Sequence, residues 1–222
     1  MTLLKILTQK IHLTFNGFLR YFNKKKLRTN ILTFYTENPT DEKEINQALD
    51  YIKNNGIHVF PYPFIDKYNA GNIILEKDVA NGLYYIIRNN KKLYFRSNIT
   101  YKTARNIYNC LLVEQDPDSP HRYLTENFDI TENDILVDIG CAEAFLALDV
   151  IDKVKKIYLF EYEDAWIEAL QHTFAPWKDK VEIIKKYVSD HTDNNCITID
   201  DFFHNREEKP TFIKIDVEGA EI

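Results

Sequence analysis

The spacing of hydrophobic and polar positions changes character along this chain. In the first segment Leu4, Leu7, Ile11, Phe15, Phe18 and Phe22 recur at three- and four-residue steps, which draws an apolar stripe on a helix. From about residue 30 to 130 helical and extended patterns are mixed. Asp41 with Glu44 predicts a capped helix running through Ile45, Ala48, Leu49 and Ile52 and stopping at Gly56, and a second helix is expected over 102–114. Extended segments are expected at 57–64, 72–76, 82–88 and 92–96, the last two joined as a hairpin through Asn89-Asn90-Lys91. Beyond Thr131 the period settles into strand, helix, strand, helix, which predicts a parallel sheet with crossover helices. Its strands are expected at 135–138, 156–161, 181–188 and 212–216. Between them Ala144, Ala147, Leu148, Ile151 and Val154 form one apolar helical stripe, and Ala165, Trp166, Ala169, Leu170 and Phe174 another.

Composition narrows this picture without altering it. A chain of 222 residues with 45% hydrophobic content can bury one substantial core and a smaller appended unit, and it is neither disordered nor fibrous. Cys110, Cys141 and Cys196 lie far apart with no CxxC spacing, so no disulfide framework or metal site is expected, and a reducing cytoplasm fits best. No apolar run of membrane length or small-residue cleavage site marks the N-terminal segment, so no signal peptide is expected. Charge is distributed unevenly. Lys5, Lys10, Arg20, Lys24, Lys25, Lys26 and Arg28 precede residue 36, whereas all 34 acidic residues follow it. The basic amphipathic segment has two readings: a helix docked on its own protein, or peripheral contact of residues 1–28 with an anionic membrane. With a net charge of −6, no nucleic-acid partner is expected.

Candidate chemistry gathers where the predicted strands end. Right-handed crossovers place all their carboxyl ends on one edge of the sheet, where ligands of such folds bind. Asp138 ends the first strand, Glu161 the second and Asp216 the fourth, while Asp190 follows the third. Such a rim repels a pyrophosphate but suits a ligand with cationic groups and hydroxyls, as in S-adenosylmethionine with its sulfonium, ammonium and ribose diol. Gly140 makes the tight strand-to-helix turn, with Ala142 and Ala144 keeping its floor low. A dinucleotide fingerprint starting at Gly140 would need glycines where Ala142 and Phe145 stand, so the pyrophosphate cradle is missing. Glu161 follows Gly140 by the distance that brings an acid to a ribose after one crossover. Other residues read more plainly: Cys141 as a small packed side chain, and Asp200 and Asp201 as caps of a short helix at Phe202-Phe203.

The stretches VDIGCAEAF (137–145), LFEYED (159–164), YVSD (187–190), TIDDF (198–202) and above all FIKIDVEGAE (212–221) resemble the FkbM-like S-adenosylmethionine-dependent methyltransferases. The resemblance spans about residues 120–222, and the family typically has a glycine where this chain has Ala144. It implies an α/β fold with a class I Rossmann-like methyltransferase core over 131–222, to which the residue pattern adds a basic helix over 1–29 and an α+β extension over 30–130, a candidate substrate or lid region. It further implies S-adenosylmethionine as cofactor and O-methylation of a small-molecule, sugar, glycan or glycolipid acceptor. Under it Asp138, Gly140 and Ala142 cradle the methionine end, Glu161 takes both ribose hydroxyls, and Val188, Ser189 and Asp190 border the adenine. Asp216 and Glu218 face the transferred methyl, and His121, in the loop before the core, joins them as a candidate base; no metal is assigned. Because the chain stops at Ile222, just after the fourth strand, the core is expected to be C-terminally incomplete. Two alternative functions are a nicotinamide-dependent oxidoreductase and a non-catalytic, membrane-associated relative acting in glycan assembly.

Overall fold

The computed structural model describes residues 23–217, which form two compact units dividing between Tyr68 and Asn69. In the first unit, helix α1 is described over residues 23–37 and helix α2 spans Lys43–Asn55. Arg28 donates from Nε to the Ile52 carbonyl (3.0 Å) and from Nη2 to the Lys53 carbonyl (2.7 Å), so a cation closes the carbonyl end of α2. Gly56, at φ +90°, ends the helix as expected, its N–H bonding the Ile52 carbonyl. The expected Asp41 cap is replaced: α2 starts after Glu42, whose side chain makes no capping bond, and Thr40 Oγ1 accepts the Glu42 N–H instead.

Residues 57–64 do not form the expected strand. Pro61 and Pro63 remove two ladder donors, and the chain turns into a short 3-10 helix at Pro63–Lys67, where Tyr51 Oη donates to Asp66 (3.0 Å). Of the N-terminal segment, Leu4 through Phe22 lie outside the described residues. Lys24, Lys25 and Lys26 are exposed on α1.

The second unit opens with another 3-10 turn, Ala70–Asn72, because Asn69 Oδ1 accepts the Gly71 N–H and pulls the backbone away from the strand expected at 72–76. Only β1, Glu76–Lys77, extends there, and it pairs antiparallel with β2, Tyr84–Arg88, which pairs with β3, Lys91–Tyr94. Arg88 faces Lys91 across the hairpin, so its loop is two residues, not three. Asn89 and Asn90 both take left-handed backbone (φ +48° and +62°), which asparagine tolerates and which matches the twist of the strands. Helix α3, Tyr101–Glu114, is capped by Thr100, whose hydroxyl accepts the Thr103 N–H.

A parallel sheet follows. Strand β4 (Ile135–Ile139) leads to α4 (Phe145–Val150), β5 (Lys156–Glu161) to α5 (Asp164–Thr173), and β6 (Val181–Lys185) runs beside β5. The strand expected at 181–188 breaks at Lys186, whose N–H turns back to the Ile184 carbonyl; β7 (Tyr187–Val188) then pairs with β8 (Cys196–Ile197) in a separate two-stranded sheet. Helix α6 (Ile199–Phe203) is capped by Thr198 rather than by Asp200 or Asp201, which occupy its first turn. The chain returns as β9, Phe212–Ile215, on the free side of β4.

The sheet order is β6-β5-β4-β9, every pair parallel, so the direction of winding reverses between β4 and β9. All five residues of β4 are buried, as a strand covered on both faces requires. The hairpin and α3 share this core: Leu93, Phe95, Ala104 and Tyr108 pack in one cluster with Leu136, Phe145 and Leu148. Two polar ties reinforce the join. Arg88 holds Asp149 of α4 with a two-pronged ion pair (2.6 and 2.7 Å), and the Tyr94 N–H reaches Thr173 Oγ1 on α5 (3.0 Å).

Candidate functional site

A cavity of about 730 Å³ opens at the carboxyl edge of the parallel sheet, at the point where the winding reverses. Three expected acids line it: Asp138 at the end of β4, Glu161 at the end of β5 and Asp216 just past β9. The face of α3 bearing Asn106, Cys110 and Glu114 forms the opposite wall.

The β4–α4 turn supplies the floor. Gly140 has φ +68°, and a Cβ there would lie 2.2 Å from the Asp216 carbonyl oxygen, so the glycine is required by close passage of the chain leaving β9. Ala142 and Ala144 also adopt left-handed backbone (φ +46° and +55°), a conformation disfavoured by about 1 kcal/mol or more for residues with a Cβ. Glu161 clamps this turn from the neighbouring strand: Oε2 accepts the Ala142 N–H (3.1 Å), and Oε1 accepts the N–H groups of Tyr162 (2.7 Å) and Glu163 (2.9 Å). A carboxylate has about four acceptor positions. With three backbone donors on it, Glu161 is anchored to the turn while still lining the cavity.

Asp138 is 1% exposed, and Lys214 Nζ stands 3.0 Å from its Oδ1, a buried ion pair. Burial pushes the Asp138 carboxyl above its ordinary range, an effect the Lys214 ammonium offsets only in part. Burial pulls Lys214 down while the Asp138 and Asp216 carboxylates push it up, and the net direction is up. Lys214 also donates to the Gly140 carbonyl (3.3 Å) and lies over the Tyr123 ring. The Tyr123 hydroxyl in turn donates to Asp216 Oδ2 (2.7 Å), and burial followed by that carboxylate drives the phenol far above its normal titration range. Cys141 is buried, its thiol raised well above normal chiefly by burial, in keeping with a packed small residue.

The remaining expected residues are placed differently. His121 is exposed and is not part of the cavity wall; its ring contacts that of Tyr123, which is. Ser189 and Asp190 also lie outside the wall, with Asp190 engaged by His191 (2.8 Å) and Ser189 (3.2 Å) at the surface. Val188 does line the cavity, beside Tyr162 and Tyr187, whose rings stack 4.0 Å apart. Glu218 lies outside the described residues. At the surface a His191 ring nitrogen, an Asp193 carboxylate oxygen and the Cys196 thiol lie within 4.8 Å of one another.

Lys214, Tyr123 and Glu143 line the site without having been anticipated. The first had a signal: parallel pairing of β4 with β9 sets Asp138 beside Lys214, so a lysine on an otherwise apolar strand had a buried acid as neighbour. Among the described residues no helix is long and apolar enough to cross a membrane.

Fold and cavity together define an α/β domain with a parallel sheet whose winding reverses at an acid-rimmed cavity, the place where ligands of doubly wound folds bind. The methyltransferase FkbM domain model matches residues 82–222, and the chain belongs to that family. The chain is also similar to the crystal structure of a methyltransferase FkbM from Methylobacillus flagellatus (21% identity, TM-score 0.38), the match covering 45% of this chain and 30% of that one. A dimethyladenosine transferase from Plasmodium falciparum aligns at 17% identity over 30% of this chain and 26% of its own, with a TM-score of 0.26. The chain thus spans under a third of the length of either. Comparison with curated protein sequences finds no match.

Proposed function

We propose that this protein is an S-adenosylmethionine-dependent methyltransferase that O-methylates a hydroxyl of a sugar, glycan or glycolipid. The observation that carries this reading is the convergence of Asp138, Glu161 and Asp216 on one cavity whose floor lacks the glycines of a pyrophosphate cradle. The donor set fits the cofactor: the carboxylates of Glu161 and Asp216 line the cavity and can accept from hydroxyl and ammonium groups, while Lys214 balances the charge of the buried Asp138. Tyr162 and Val188 supply flat and apolar surface for a base. When bound, the cofactor supplies a methyl group already activated on a sulfonium.

Positioning then provides much of the rate. Asp216 is the candidate base for the acceptor hydroxyl, with Tyr123 fixing one carboxylate oxygen and leaving the other to receive the proton. Membership of the FkbM family supports methyl transfer as the reaction class. Calorimetry with S-adenosylmethionine, S-adenosylhomocysteine and NAD tests the reading, with binding of the first two and not the third expected. Binding of NAD alone would instead favour an oxidoreductase, and liposome flotation without any nucleotide binding a non-catalytic relative. Transfer of labelled methyl to hydroxyl acceptors then tests the substrate class.

A further inference from the structure

Glu143 sits between the two left-handed alanines of the β4–α4 turn, where an acid ordinarily points to solvent. Here its side chain is buried (8% exposed) and lines the cavity. Apart from its own N–H, no group among the described residues hydrogen-bonds its carboxyl. A second acid, Glu114 of α3, lines the same wall, together with Asn106 and Gln115.

The sheet order says what would reach this corner. Flat and apolar surface lies at the β5 and β6 end, from Tyr162, Tyr187 and Val188, and Glu161 stands next along the edge. A nucleoside seated there must send its tail across β4, towards the β4–α4 turn. We infer that Glu143 receives the ammonium group of the cofactor's amino-acid end, an assignment that rests on the S-adenosylmethionine reading above. An otherwise unpartnered buried carboxyl beside a second acid suits a cation and disfavours an anion. Among the described residues the charged groups that act on it are Asp138 of β4, Glu114 of α3 and Lys214 of β9. Burial, more than these neighbours, lifts its carboxyl to about 7, with Lys214 opposing and the two acids reinforcing.

Engagement of an ammonium requires the ionised carboxylate, so binding must release a proton near neutrality and weaken as pH falls. The test uses two ligands that share a thioether nucleoside: S-adenosylhomocysteine, which carries the amino-acid end, and 5′-methylthioadenosine, which lacks it. In the unaltered protein, the linkage expected for a group titrating at about 7 makes S-adenosylhomocysteine bind about fivefold more weakly at pH 6 than at pH 7. 5′-Methylthioadenosine should bind equally at both. In Glu143→Gln the first ligand should weaken tenfold or more at pH 7 and lose its pH dependence. Unchanged 5′-methylthioadenosine affinity would show that the variant site is intact. Equal S-adenosylhomocysteine binding by variant and parent, or tighter binding at pH 6, overturns the assignment while leaving the cofactor reading standing. Failure of the unaltered protein to bind either ligand overturns both.

Discussion

Replacing Lys214 by Met removes the cation paired with Asp138 among the described residues while keeping the length and apolar stem of the side chain. Lys214 and Asp138 are 10% and 1% exposed at the side chain and 3.0 Å apart, so the variant leaves a carboxylate in a place water does not reach. Breaking a buried pair on one side costs about 3–5 kcal/mol. For a unit of this size that lowers the melting temperature by roughly 10 °C. Both tryptophans, Trp166 and Trp177, lie in the second unit, so fluorescence-detected denaturation reports its stability directly. The loss should also depend on pH in a defined direction. Burial already raises the Asp138 carboxyl, and without Lys214 it rises further. A group whose folded pKa lies above its unfolded value stabilises at low pH and loses that contribution as pH rises through the folded pKa. The deficit of Lys214→Met should therefore be smaller at pH 5 than at pH 8, and adding Asp138→Asn should recover much of it at pH 8. A deficit below about 1 kcal/mol, or one equal at the two pH values, refutes the view that this pair is a buried charge contact sustained by both partners.

Ala142→Gly should raise stability by about 0.5–1 kcal/mol, since the left-handed backbone at φ +46° ceases to be strained; a lower melting temperature would count against that strain. Tyr123→Phe deletes the 2.7 Å bond to Asp216 and should destabilise the second unit by about 1.5 kcal/mol in urea, an unchanged midpoint being the contrary result. Glu161→Gln sets an amide N–H2 against at least one of the three backbone N–H groups that the carboxylate accepts, so hydrogen exchange at Ala142, Tyr162 or Glu163 should speed up; identical protection would deny the clamp. Arg28→Met should accelerate exchange in the last turn of α2, because two carbonyls there lose their charged donor.

Much of the parallel sheet was legible because its strands carry continuous apolar runs and its helices keep a 3.6-residue stripe. Strand ends and the acids at them follow from that pattern alone, which is why Asp138, Glu161 and Asp216 were found. Local chemistry was harder to read where polar side chains compete with the backbone. Asn69 turned a β-like run into a 3-10 turn, and the Lys186 N–H folded back on Ile184 and divided one strand into two. Glu143 escaped notice because an acid in a turn normally serves solvation, and only the conformation of its two neighbours accompanies its burial. That Gly140 must be glycine was legible from the tight turn, but the atom that excludes a side chain belongs to Asp216, some 76 residues later in the chain, and only the fold reveals it.

Strand β4 lies inside the sheet, yet its two neighbours are made at very different times. β5 follows it within one crossover, whereas Leu136 meets its other partner only at Phe212. At roughly 5–20 residues per second, synthesis of the intervening chain takes several seconds, against the far shorter times of hydrophobic collapse. Throughout that interval the nascent protein carries a strand of Ile135, Leu136, Val137 and Ile139 with one row of backbone donors and acceptors unpaired. Slower folding, or crowding by a second nascent copy, would expose the same edge that later frames the cavity.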